Sequence, residues 1–286
     1  MRGKIKTEGI ISQSIRDHKF SKKGKRQVFL PLYTAFFFLY IFAPIVLIFI
    51  FAWNTGEGYN FPLKDFGWNW FVRLFNDRMA LKALQNSIYI AVTSATVSVI
   101  LGTSLTIAVI RGIKKFRALI LVFLMLPVLM PSLTIGISAL VFFRAINIPP
   151  GIPAVIISHV SISLSYVFLI MMGRVEGIDI EMQESAIDLG ANWFESLKDI
   201  LFPVLMPAML AGWLFSFMIS WNEFIVTYFL IGTEITLPVY IFSQLRFGIS
   251  PKVNVISVLI TVFTILTVFA LQAIRKIYLK IQTRIV

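Results

Sequence analysis

One acid stands inside a long apolar stretch of this chain: Glu223, in the string SWNEFIVTYF. A carboxylate at mid-membrane depth costs about 2.5–3.5 kcal/mol on insertion scales, so such a group faces protein or water and marks function. Trp221, Asn222, Phe224 and Tyr228 surround it in sequence. A carboxylate beside aromatic faces suits an organic cation, which it holds by ion pairing and cation–π attraction. An internal partner is the other reading, with His159 and Arg246 as the available groups. His159 is the one histidine within an apolar stretch. With no second ligand spaced to help it, a helix-to-helix hydrogen bond fits it better than a metal. Tyr166 lies seven residues on, on the same helical face, and is a candidate for the same cavity.

The second chemical feature is the segment ESAIDLGANWFESLKDILFP, residues 184–203, a hydrophilic and acid-rich interruption. It reads as two short helices joined at Gly190. Glu181, Glu184 and Asp188 share one face of the first, with Met182, Ala186 and Leu189 well round from them. Gly190 can take the left-handed conformation that stops such a helix. On the second helix Trp193, Leu197, Ile200 and Leu201 form an apolar stripe, and Pro203 and Pro207 are expected to end it. Acid on one side and aromatics on the other suit a surface that presses into another protein; a solvated loop with helical content is the plain alternative.

The order of these residues resembles the EAA motif of permease subunits in ATP-binding-cassette (ABC) importers. Glu184, Ser185, Ala186, Gly190, Ile200 and Pro203 carry the likeness, with the spacing intact. Ser185 stands where the motif has alanine, and Phe202 where it has leucine before the proline. The resemblance implies a coupling helix that seats in a cytoplasmic ATPase and relays its closure to the membrane.

Composition sets the frame. The chain has 286 residues, 58% apolar and 14% charged, with a mean hydropathy of +0.85. That is a polytopic membrane protein by composition. The net charge of +12 sits in short basic blocks beside apolar runs, which fits membrane topology and not nucleic-acid binding. With no cysteine there are no disulfides and no thiolate metal sites.

Six stretches reach the ~20 residues a bilayer requires, near 28–53, 84–110, 118–143, 152–173, 208–231 and 253–274. Nineteen Lys and Arg fall on one side of these spans and six on the other. The positive-inside rule then puts both termini and the 174–207 loop in the cytoplasm. Residues 1–27 lack a small-residue cleavage site and read as a basic tail before an uncleaved first span. Ile11 and Ile15 among its basic residues would let it lie on anionic lipid; a disordered solubilising tail is the alternative. Residues 276–286 are expected to form the other cytoplasmic tail.

Within the spans, Ser94, Ser98, Gly102 and Thr106 recur every four positions, the arrangement that lets helices approach closely; the same face could line a pathway. Pro127 and Pro131 should kink or unwind the third span, either beside a substrate route or as a static bend. Ser250 and Pro251 read as a cap and first-turn proline opening the sixth. No phosphate-binding glycine loop and no Ser/His/Asp set occurs. The chain is therefore expected to bind no cofactor and hydrolyse nothing, with ATP and magnesium on a partner ATPase.

A second resemblance covers most of the chain. The stretches SHVSISLSYVFLIMMGRVEGID, LFPVLMPAMLAGWLFSFMISWNEFIVTYFLIG and LPVYIFSQLRFGISPKVN are similar to the second permease of spermidine/putrescine importers. It implies an all-α, six-span, type I ABC importer permease in a bacterial inner membrane. The implied partners are a second homologous permease, two copies of the ATPase and an external solute-binding protein. In that family the position of Glu223 belongs to an acidic pair, whereas this chain has Asn222–Glu223. The Trp-Asn-Glu-Phe string is also similar to sugar permeases, so an importer of sugar or another small solute is the alternative. A stand-alone ion-driven carrier would show two inverted halves, which the sequence lacks.

Overall fold

The computed structural model describes residues 30–56, 62–112, 116–178, 188, 190–246, 250–266 and 269. Among these residues the protein is helical, with one isolated bridge, Asn54 to Phe66, in place of a sheet. We number the helices α1 (Leu30–Trp53), α2 (Asn69–Phe75), α3 (Arg78–Ile107), α4 (Arg117–Leu129), α5 (Ser132–Ala145), α6 (Ile152–Val175), α7 (Trp193–Asn222), α8 (Ile225–Leu230), α9 (Leu237–Arg246) and α10 (Lys252–Leu266). A π turn, Ala108–Gly112, closes α3.

Among the described residues, four helices are long and apolar enough to cross a membrane: α1, α3 with its π turn, α6 and α7. The bent pair α4–α5 makes a fifth if counted as one span. Among the described residues α10 is a shorter apolar helix, so the expected total of six is not reached there.

The chain forms two contact units, residues 1–74 with 250–286, and residues 75–249. In the first, Asn54 organises the turn after α1. Its Oδ1 accepts from the Gly56 and Lys64 amides at 3.3 and 3.1 Å, and its carbonyl accepts from Trp70 Nε1 at 3.0 Å. The Trp53 and Trp68 rings pack against Phe71 at 5.1 and 4.9 Å. Ser250 caps α10 as expected, its Oγ accepting from the Lys252 amide at 3.3 Å.

The second unit is built on α3, α6 and α7. The face carrying Ser94, Ser98, Gly102 and Thr106 is buried along its length, so this repeat serves packing. A Cβ on Gly102 would stand 2.6 Å from Val167 Cγ1 of α6. Because valine is stiff at χ1, the helices and not the side chain would have to yield. Gly102→Ala is therefore expected to cost about 1–3 kcal/mol of stability by overpacking. A lower thermal unfolding midpoint in detergent, set beside an unshifted Leu101→Ala control, checks this.

The third apolar stretch breaks at Met130–Pro131, where α4 and α5 meet at 106°. Pro127 stays inside α4, so the second proline alone makes the break. Two expectations are corrected in α7. Pro203 and Pro207 do not end the helix that begins at Trp193. It runs on through a π turn, Leu197–Leu201, and both prolines lie in the regular segment Phe202–Asn222. The wide turn already shifts the hydrogen-bond ladder there, with the Phe202 amide donating to the Leu197 carbonyl. Nor is 208–231 one continuous helix: α7 stops at Asn222, and α8 starts at Ile225, with two residues between them.

Candidate functional site

Glu223 sits in the gap between α7 and α8, not in mid-helix. Its backbone is extended (φ −73°, ψ 106°), and its Oε1 accepts from the Val226 amide at 3.1 Å. This is capping geometry: a carboxylate satisfies an orphan N–H at the start of α8 and lies at the positive end of that short helix. Thr227 Oγ1 donates back to the Glu223 carbonyl at 2.7 Å. The other carboxylate oxygen accepts a long contact, 3.4 Å, from Ser132 Oγ, the first residue of α5. The two chain breaks, at Pro131 and at Glu223, thus meet at one carboxylate. Phe143 of α5, Ile90 of α3, Ala154 and Val155 of α6, and Val226 and Leu230 of α8 pack into one buried cluster beside it.

His159 does not pair with Glu223. Its Nδ1 lies 2.7 Å from Ser220 Oγ of α7 and its Nε2 lies 3.0 Å from Thr227 Oγ1 of α8. Because the Thr227 hydroxyl proton is given to the Glu223 carbonyl, Thr227 Oγ1 accepts from Nε2–H, and Nδ1 accepts from Ser220. The ring bridges the two sides of the break, the helix-to-helix role expected of it.

The remaining residues singled out in the sequence do not all gather at one place. Trp221 lines a small cavity with Glu223, His159, Ser87, Ser220 and Thr227, about 10 Å³, which is room for one water. Asn222 turns its amide back to the Met218 carbonyl at 2.8 Å. Phe224 and Tyr228 pack together at 5.6 Å, and both pack on Phe242 of α9, at 4.9 and 5.7 Å. Tyr166 does not line the small cavity; its ring packs on Phe215 at 5.4 Å. Seven residues along α6 from His159 amount to about 10 Å of rise.

Tyr228 instead opens on a larger cavity of about 660 Å³, lined also by Arg78, Lys82, Gly232, Glu234 and Val239. Lys82 Nζ pairs with Glu234 Oε2 at 2.8 Å, and Asn86 Nδ2 donates to the same oxygen at 3.1 Å. These two bonds hold the Glu234 carboxyl below the usual carboxylate range. Tyr240 Oη donates to Asp77 Oδ2 at 2.9 Å, while Asp77 Oδ1 caps α3 through the Met79 and Ala80 amides. Burial, and then Asp77, push the Tyr240 hydroxyl up. The segment from Glu234 to Tyr240 is thereby strapped to the first turns of α3. The sequence reading missed Ser132, Ser220 and Thr227, which bear only common hydroxyls. It also missed Asp77, which had a legible cap signal before a long apolar helix.

Of the coupling residues, Glu184, Ser185 and Ala186, with Glu181, Met182 and Leu189, lie outside the described residues. Gly190 has φ +96°, the left-handed turn anticipated for it. Asn192 and Glu195 then form a capping box, each side chain taking the other's amide at 2.9 Å. Trp193 and Phe194 are 62% and 67% exposed. Ile200 is half-buried in the π turn and Pro203 is exposed. Arg174 Nε donates to the Val204 carbonyl at 3.1 Å, tying the end of α6 between the two prolines of α7.

Residues 96–280 match the family described as binding-protein-dependent transport system inner membrane component. The chain belongs to this family. It is 31% identical to the spermidine/putrescine transport system permease protein PotC of Escherichia coli (strain K12), over 84% of this chain and 90% of PotC. Its identity to PotC of Haemophilus influenzae is 32%, over 86% of this chain and 96% of the relative. Against the putrescine transport system permease protein PotI of Escherichia coli (strain K12) it is 30%, over 78% and 82%. Among solved structures, a bacterial ABC transporter for import of the acidic polysaccharide alginate superposes with a TM-score of 0.69 at 18% identity, over 85% of this chain and 94% of that one. The fold is therefore that of a type I ABC importer permease. As a family member this chain is a non-enzymatic membrane subunit; ATP hydrolysis belongs to a separate subunit, and solute arrives on a binding protein.

Proposed function

We propose that this permease carries a polyamine, spermidine or putrescine, as one of two permeases over an ATPase dimer. The observation that carries this is Glu223, the acid at which two broken helices meet, with Trp221 beside it and the Phe224–Tyr228–Phe242 cluster next in the chain. The names borne by PotC and PotI point the same way. The finer topology follows the charge count: six spans, both termini cytoplasmic, and the 174–207 loop coupling to the ATPase through Glu184, Ser185, Ala186, Gly190, Ile200 and Pro203.

At about 10 Å³ the cavity beside Glu223 has no room for a polyamine, so loading requires α5 and α8 to part at Ser132 and Val226. Alternating access would move those half-helices, driven from Gly190 by closure of the ATPase. The larger cavity, bordered by Tyr228 and by Gly232, Thr233, Glu234, Ile235 and Val239 on the outer side of that topology, is the entry.

The test is uptake of labelled spermidine and putrescine by the full complex in proteoliposomes, with the binding protein outside and ATP inside. Saturable, ATP-dependent uptake of either amine is expected. If a sugar is carried and neither amine is, the assignment falls.

A further inference from the structure

The α7 surface leading to Glu223 carries three aromatic rings at four-residue spacing: Trp213, Phe217 and Trp221. Adjacent centroids are 5.5 and 5.8 Å apart, and each pair is inclined by only 16°. All three side chains are half-buried, so part of each ring stays accessible. Trp213 Nε1 donates to Thr96 Oγ1 of α3 at 3.1 Å, which fixes the ring at the far end. Trp221, at the near end, borders the small cavity that holds the Glu223 carboxylate. The Phe224–Tyr228–Phe242 cluster differs: its rings meet at 42–76° and fill one another's edges, as a packed cluster does.

We propose that Trp213, Phe217 and Trp221 form a cation–π track on which a linear polyamine lies extended, one terminal ammonium on Glu223 and the next groups over successive rings. With C–N and C–C bonds of about 1.5 Å, ammonium groups three or four methylenes apart lie about 5–6 Å from each other when extended. The ring spacing of 5.5 and 5.8 Å has that repeat. The methylenes between the charges then rest on apolar ring edges, and each charge meets a π face without a second buried carboxylate. The inference rests on the polyamine reading and adds length selectivity to it. A diamine anchored at Glu223 reaches about one ring beyond the carboxylate, whereas a triamine reaches Phe217.

The discriminating measurement is KM for labelled spermidine and putrescine in the reconstituted complex carrying Phe217→Leu or Phe217→Tyr. Leucine keeps apolar bulk and removes the π face; tyrosine keeps it. Phe217→Leu is expected to raise the spermidine KM about five- to tenfold, with putrescine changed less than twofold and Phe217→Tyr near wild type. A wild-type complex that imports neither amine sinks the polyamine reading itself. Wild-type import with Phe217→Leu unaffected, or equally impaired for both amines, overturns the track alone and makes the ladder a packing surface for the second permease.

Discussion

Glu223→Gln is expected to lower spermidine uptake at limiting substrate by roughly 10- to 100-fold while leaving the protein folded. The magnitude follows from losing a charge-assisted hydrogen bond, about 1.5–3 kcal/mol, at about 1.4 kcal/mol per factor of ten. Glutamine isolates that term because it keeps the local structure. Its carbonyl oxygen can still accept from the Val226 amide, and its amide can still meet Ser132 Oγ. Glu223→Ala removes the cap as well and should also lower the unfolding midpoint, since a lost cap costs about 1 kcal/mol. Uptake kinetics and thermal unfolding of both variants separate the two roles. Gln-variant uptake equal to wild type would remove Glu223 from the substrate path and leave it a cap. An importer of neutral sugar would behave in that second way.

That a single residue serves as both cap and candidate ligand was only half legible in the sequence. The cost of an intramembrane acid marked Glu223 without any structure, because nothing else in that stretch is charged. Its place in a break was not marked. Phe224, Ile225 and Val226 contain no glycine or proline, and apolar periodicity runs straight through them. What ends α7 there is tertiary: Glu223 satisfies α8, Thr227 returns a bond to Glu223, and His159 of α6 spans Ser220 and Thr227 across the gap. Propensity does not see a ring on another helix. The opposite error occurred at Pro203 and Pro207, where a strong local breaker was overruled. The π turn before them, and Arg174 reaching the Val204 carbonyl, carry the helix through. Features set by one short-range cause were read well: the break at Pro131, the left-handed Gly190 and the tight face of Ser94, Ser98, Gly102 and Thr106. Those that depend on partners distant in sequence, such as Glu234 with Lys82 and Asn86, were not.

Gly190→Val is expected to separate ATP hydrolysis from transport. Gly190 sits at φ +96°, where a Cβ is strained whatever the surrounding space, and among the described residues nothing crowds it within 4 Å. The cost is thus conformational, about 1–2 kcal/mol, with a β-branched residue the worse choice. The chain would relieve it by swinging the turn, which re-aims the Asn192–Glu195 capping box and with it the exposed Trp193 and Phe194. If those aromatics seat on the ATPase, a misdirected turn leaves the membrane helices intact but loosens the linkage. Solute moved per ATP hydrolysed should then drop at least tenfold, with hydrolysis itself retained. Gly190→Ala should show a smaller drop in the same direction, and Gly190→Asn, which tolerates the left-handed region, should be the mildest of the three. The ordering matters more than any single value. A packing defect would follow side-chain volume, placing alanine below asparagine in severity, whereas a backbone defect reverses that pair. Transport per ATP that stays at the wild-type ratio in the valine variant would show that the turn at Gly190 transmits no force.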